Sequence, residues 1–105
     1  MFARVSIYEI PDDQAGQAVD SFSDALTQIA GQAGLCDAYF LVGRESDRAM
    51  VMTLWESQDA MAASRLTATR LRTEASRAAD GSIVSVEEFE VAVHASGAGV
   101  ATRRV

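Results

Sequence analysis

Residues 36–55 read CDAYFLVGRESDRAMVMTLW. Two apolar runs, residues 36–43 and 49–55, flank the polar stretch Arg44-Glu45-Ser46-Asp47-Arg48, which is the pattern of a β-hairpin joined by a short turn. Both runs are apolar at nearly every position. A strand with one wet face alternates apolar and polar residues, so this pair predicts a sheet covered on both sides. One cover is a helix of the same chain. The most economical source of the other is a second copy of it.

Upstream, residues 2–10 alternate: Phe2, Arg4, Ser6 and Tyr8 to one side, Ala3, Val5, Ile7 and Glu9 to the other. With its aromatic and β-branched residues this segment predicts a strand. Pro11 stops it, and Asp12 and Asp13 suit the positive N-terminal end of a helix. That helix has an apolar stripe at spacings of three and four, from Ala15 through Phe22 to Ala33, and Gly34 is placed for a left-handed cap. Downstream of the hairpin, Ser57 and Asp59 open a second helical stretch to about residue 79, with a break expected near residues 65–67. Gly81 ends it. Alternation over residues 82–94 predicts a long last strand, and the Gly/Ala/Ser-rich residues 95–105 predict a partly disordered tail. The order is strand, helix, strand, strand, helix, strand. It defines an α+β, ferredoxin-like βαββαβ domain with an antiparallel sheet over residues 1–94, an arrangement that many unrelated functions share.

Composition removes several kinds of chemistry. The 105-residue chain has nine basic residues, every one an arginine, and neither lysine nor asparagine. Schiff-base catalysis and a phosphate-binding P-loop both need a lysine. A structural zinc site needs about four Cys or His ligands, and the sequence has one cysteine, Cys36, and one histidine, His94. One cysteine excludes an intrachain disulfide, so nothing indicates an oxidising compartment. The formal net charge of −6 repels a polyanion, and the first strand offers only Phe2 and Tyr8 for base stacking. A nucleic-acid partner is therefore not expected. The cluster of Arg65, Arg70, Arg72 and Arg77 reads as a solvated helix face. No apolar run approaches the ~20 residues of a membrane span, and the alternating N-terminus is not a signal-peptide core. No membrane contact is expected, and a cytoplasmic location is the default.

Residues 52–61, MTLWESQDAM, carry a more specific pattern: an apolar strand ending in Trp, then Glu-Ser, two polar residues and Ala at a helix start. This stretch and the element order resemble the antibiotic-biosynthesis-monooxygenase-like family of dimeric α+β barrels, over residues 1–94. The resemblance implies a homodimer closed sheet against sheet, each subunit with a pocket between its own sheet and helices. It implies cofactor-independent monooxygenase chemistry on aromatic molecules, with no metal and no flavin, or haem degradation in another branch. The monooxygenases carry a pocket Asn four residues before the strand-end Trp, which falls on Val51. The haem-degrading branch carries an Asn near the position of Ser6, and a Trp and a His at those of Ser64 and Glu74. Only the strand-end Trp, Trp55, is retained. Haem degradation is therefore not expected, and a non-catalytic homodimer of the same fold is the alternative to a monooxygenase.

Within that frame the candidate pocket residues are Ser6, Tyr8, Tyr39, Thr53, Trp55, Arg65 and Arg72. Val51, Thr53 and Trp55 share one strand face, and Arg4, Ser6 and Tyr8 share another. Trp55 either lines the pocket or fills core beside it. The hydroxyls of Tyr8 and Tyr39 either orient a ligand or sit wet above packed rings. Arg65 and Arg72, seven apart on one helix face, either clamp an acidic ligand or pair with surface acids such as Glu74 and Asp59. Ser6 lacks an adjacent base and is no nucleophile. His94 alone has an ordinary pKa near neutrality, but it lies at a strand end where solvation is expected. Cys36 reads as a buried, inert thiol, and Glu88 with Glu90 on one strand face is a weak metal signal. No metal and no cofactor are expected. The expected ligand is a small aromatic or hydrophobic molecule.

Overall fold

The alternating N-terminal segment forms β1 (Phe2–Glu9), one of the two central strands of an antiparallel sheet ordered β2-β3-β1-β4. Its partners are β3 (Arg48–Trp55) and β4 (Ser82–Glu90); β2 (Leu35–Val42) pairs with β3 as the far edge. The computed structural model describes residues 1–97 and 99–102, the last four by backbone alone. The helices are α1 (Ala15–Ile29), α2 (Gln58–Ala63) and α3 (Arg65–Ala78). This is the α+β, ferredoxin-like order expected from the sequence. No helix among the described residues is long and apolar enough to cross a membrane.

Register decides what each sheet face carries. Arg4 lies opposite Thr53, Ser6 opposite Val51 and Phe2 opposite Trp55, so these side chains share the face that the helices cover. Two apolar clusters fill that layer. In the first, Tyr8, Phe22 and Ala75 are buried, the Phe22 ring meets Tyr8 edge-on at 4.8 Å, and it stacks on Phe40 at 4.5 Å. The second gathers Ile29, Met61 and Leu71 around Trp55, which is 0% exposed. The same register sends Val5, Ile7, Met50, Met52, Leu54 and Tyr39 to the opposite face. There Tyr39, Leu41 and Phe89 remain between 44% and 47% exposed. The doubly apolar hairpin thus has one face packed and one open.

Several expected boundaries move, each for a local reason. The last strand ends at Glu90 rather than residue 94. Val93–Ser96 turns away to pair with Gly99–Thr102 as a separate two-stranded sheet, and His94 sits exposed on it. The expected loose tail falls partly on residues 98 and 103–105, which lie outside the described residues. The break in the second helical stretch comes at Ser64, one residue before the expected range, because the Ser64 Oγ turns back to donate to the Met61 carbonyl at 2.7 Å. Ser57 caps α2 as expected, its Oγ accepting from the Ala60 N–H at 3.0 Å. Asp12 and Asp13 form a single 3-10 turn and cap no helix through their side chains. α1 ends at Ile29 rather than Ala33, and the chain then turns through Gly34 at φ +84°. A side chain at Gly34 would collide with the Cβ of Ala60. Cys36 is exposed rather than buried, because a register shift between Leu35 and Asp37 lifts it out of the edge ladder.

The 0% exposure of Trp55 and its central place in the second cluster make it a packing residue. Trp55→Ala is expected to destabilise the fold by about 3–5 kcal/mol, read from the shift of the urea-unfolding midpoint.

Candidate functional site

Between the covered sheet face and helices α1 and α3 lies a cavity with apolar walls. It is lined by Phe22, Ala25, Leu26 and Ile29 of α1, Ala68 and Leu71 of α3, and Val51 of β3. Five polar side chains complete it: Arg4, Ser6 and Tyr8 from β1, Thr53 from β3 and Arg72 from α3. Its volume is about 430 Å3 when the open mouth is counted, of which water centres reach about 40 Å3. That inner space holds about three waters. A deep small-molecule site is several times larger, so the cavity admits a compact ligand through its mouth. A wider recess of about 1030 Å3 lies between the β2–β3 turn and the start of α1. It is walled by turn residues such as Arg44, Glu45 and Asp47, all exposed.

The polar groups of the cavity are wired in a definite way. Arg4 is 4% exposed. Its guanidinium donates to Glu88 at 3.0 Å, to the Met61 carbonyl at 2.8 Å and to Ser64 Oγ at 3.1 Å, and it lies 5.8 Å from the Trp55 ring. Burial lowers the Arg4 pKa, and Glu88 opposes that shift. Glu88 also accepts from Arg65, at 2.6 and 3.1 Å. The two guanidiniums, Arg65 foremost, hold the Glu88 carboxyl below its ordinary value. Arg72 donates through Nε to Ser6 Oγ at 3.3 Å. Burial raises the pKa of Tyr8, and hydrogen bonds to Ser6 and Arg72 only temper the rise. At neutral pH Tyr8 is therefore a neutral hydroxyl. Thr53 Oγ1 accepts from the Trp55 indole N–H at 2.9 Å.

Of the seven residues singled out from the sequence, Ser6, Tyr8, Thr53 and Arg72 converge on the cavity. Three do not. Tyr39 is on the open sheet face, since its neighbours Ala38 and Phe40, not Tyr39, share the parity of Thr53 and Val51. Trp55 fills core beside the cavity and holds Thr53. Arg65 points outward to Glu88, so it forms no clamp with Arg72. Sequence reasoning did not single out Arg4 as a cavity residue, and it weighed Glu88 with Glu90 only as a weak metal signal, not as the partner of Arg4. The available signal was Arg4 itself, a charge on the same strand face as Ser6 and Tyr8, which requires a buried partner. Among the described residues no group of three or more His, Cys, Asp and Glu side chains could hold a metal ion.

Comparison with known proteins places this geometry. No family model matches the chain. Two curated Mycobacterium tuberculosis proteins, Rv2557 of strain H37Rv and MT2634 of strain CDC 1551, are 35% identical to it over 91 residues, and both are described as uncharacterized. The match covers 86% of this chain and 41% of each relative, so the chain spans about two-fifths of the length of the curated relatives it matches. Among solved structures, a mutant of SnoaB, a cofactor-independent oxygenase from Streptomyces nogalater, superimposes with a TM-score of 0.66 at 18% identity over 86% of this chain and 91% of its own. An antibiotic biosynthesis monooxygenase gives 0.66 at 11% identity, covering 87% and 98%. The chain therefore has the fold of the antibiotic-biosynthesis-monooxygenase-like proteins.

The wiring of Arg4 generates a stability prediction. Glu88→Gln leaves a buried guanidinium without its counter-charge and is expected to cost about 2–3 kcal/mol. Arg65→Gln, at an exposed position, has a much smaller effect. Because the folded Glu88 pKa is depressed, its contribution is complete above the ordinary value of 4.5 and fades as pH falls through the folded value. Denaturant titrations from pH 7 to pH 3 are expected to show the wild type and Glu88→Gln converging in acid.

Proposed function

We propose that the chain is one subunit of a homodimer that takes a compact aromatic or hydrophobic molecule into the cavity and oxygenates it without a cofactor. The observation that carries this reading is the convergence of Ser6, Tyr8, Thr53 and Arg72 inside otherwise apolar walls, the usual composition of a small-molecule site. The likeness in fold to a cofactor-independent oxygenase supports the choice of chemistry. In such a reaction the substrate loses a proton to give a carbanion, and its carbon forms a bond to dioxygen. Loss of water from the resulting hydroperoxide leaves a carbonyl. With 1-naphthol the balance is one dioxygen consumed, and 1,4-naphthoquinone and one water formed. The protein's part is to desolvate and orient the ring and to meet negative charge on oxygen with the Arg72 guanidinium and the Ser6 and Tyr8 hydroxyls.

The second copy belongs to the same proposal. An apolar sheet face of this kind seeks cover, and a twin presents a self-complementary one. The length of the mycobacterial relatives supports this choice of partner. The matched segment is 41% of each, which leaves room in one polypeptide for a second such domain.

A non-catalytic binding protein is the second reading. Val51, the position to which the resemblance assigns a pocket Asn, lines the cavity as an apolar side chain. Among the described residues no carboxylate or imidazole lines it either, so the oxygenase reading takes a substrate acidic enough to lose its proton to water. Oxygen-electrode traces with 1-naphthol separate the two readings. Uptake above the protein-free rate, with naphthoquinone as product and loss of both in the cavity-filling variant Ala25→Leu, is the expected result. Saturable binding with no uptake selects the binding protein. Neither binding nor uptake removes the proposal.

A further inference from the structure

We infer that the Arg72 corner of the cavity is an oxyanion subsite, and that the ligand it selects is a planar aromatic monoanion, a carboxylate or an acidic phenol, rather than a neutral ring. The inference rests on the cavity being the ligand site and adds the charge of what it takes. Two guanidiniums line the cavity, and they are in opposite conditions. Arg4 is spent: its donors go to Glu88, Ser64 and the Met61 carbonyl, and a carboxylate neutralises it. Arg72 is half-buried, donates to the Ser6 hydroxyl with that of Tyr8 beside it, and makes no ion pair among the described residues. The other arginines of α3 that carry ion pairs turn away from the cavity, Arg65 to Glu88 and Arg70 to Glu74. Among the described residues no Asp or Glu lines the cavity.

The consequence is a fixed positive corner in a mostly apolar wall. A guanidinium with its Nε already on Ser6 still presents terminal N–H groups, a geometry that matches the two oxygens of a carboxylate. Buried and neutral, Tyr8 adds an O–H donor rather than a competing charge. Arg72 is also felt by Arg4, since the two like charges disfavour one another. An anion held between the sheet and α3 relieves that repulsion as well as pairing Arg72. Small neutral aromatics satisfy the apolar walls but leave the corner unanswered.

Isothermal titration of the full chain with 1-naphthoate and its near-isostere 1-naphthamide reads the charge preference directly. At pH 7 the naphthoate is expected to bind about tenfold or more tightly than the amide, and the ratio is expected to fall to about one in Arg72→Gln. A circular-dichroism spectrum and thermal midpoint of that variant matching the wild type show that its fold is intact. Arg72→Lys, which keeps the charge and loses the fork, is expected to lie between them. A second pair, 4-nitrophenolate and 4-nitroanisole at pH 8.5, tells whether the corner takes a phenolate as well as a carboxylate. A preference for either anion that disappears with Arg72 supports the subsite, and the pair that shows it names the acid. Equal affinity for charged and neutral partners in both pairs, with all four excluded by Ala25→Leu, overturns the subsite and leaves the cavity as the ligand site. A preference that survives Arg72→Gln overturns the role given to Arg72. Absence of binding by all four removes the cavity reading and the inference together.

Discussion

A hairpin whose strands are apolar on both faces cannot be shielded by one layer of helices on one side. That mismatch organises the molecule. α1 and α3 bury Arg4, Ser6, Tyr8, Thr53 and Trp55 on one face, and the other face leaves Tyr39, Leu41 and Phe89 close to half exposed. The covered side gains a core and a cavity. The uncovered side gains a surface that water tolerates poorly. Both features follow from one register, in which Arg4 faces Thr53 and Val5 faces Met52.

The covered layer also shows how polar groups survive beneath helices. Arg4 enters the layer because β1 alternates, and alternation leaves it no route to solvent. Its charge is answered by Glu88 on the neighbouring strand and by Ser64 and Met61 at the α2–α3 break. The break in the helix and the buried arginine are therefore one structure: the turn at Ser64 delivers a hydroxyl and a carbonyl to the guanidinium. Arg72 reaches the same layer from α3 and, among the described residues, pairs with no acid there.

Much of the fold was legible because its signals are periodic. The stripe through Phe22 gives α1, the alternation around Ser6 gives β1, and the Trp-Glu-Ser stretch at residues 55–57 marks the entry to α2. Its less legible parts depend on chain reversals that periodicity does not encode. The last strand ends where Val93–Ser96 finds a partner in Gly99–Thr102, and Cys36 is exposed by a shift of one position in an edge ladder. For the site, strand parity brought Ser6, Tyr8 and Thr53 together, and helix parity alone misled for Arg65. Two residues seven apart lie on one side of a helix, yet Arg65 is drawn outward by Glu88, whose place opposite Arg4 depends on sheet register across 84 residues of chain. Tyr39 failed for the converse reason: an all-apolar strand gives no clue to which parity faces the helices.

The open sheet face is proposed to be closed by a second copy of the chain. Sedimentation equilibrium of the purified chain at micromolar concentration tests it most directly. The mass of two chains is expected, falling to that of one when Met52→Glu places a carboxylate in the middle of that face. A stable, well-folded single chain across the micromolar range would contradict it.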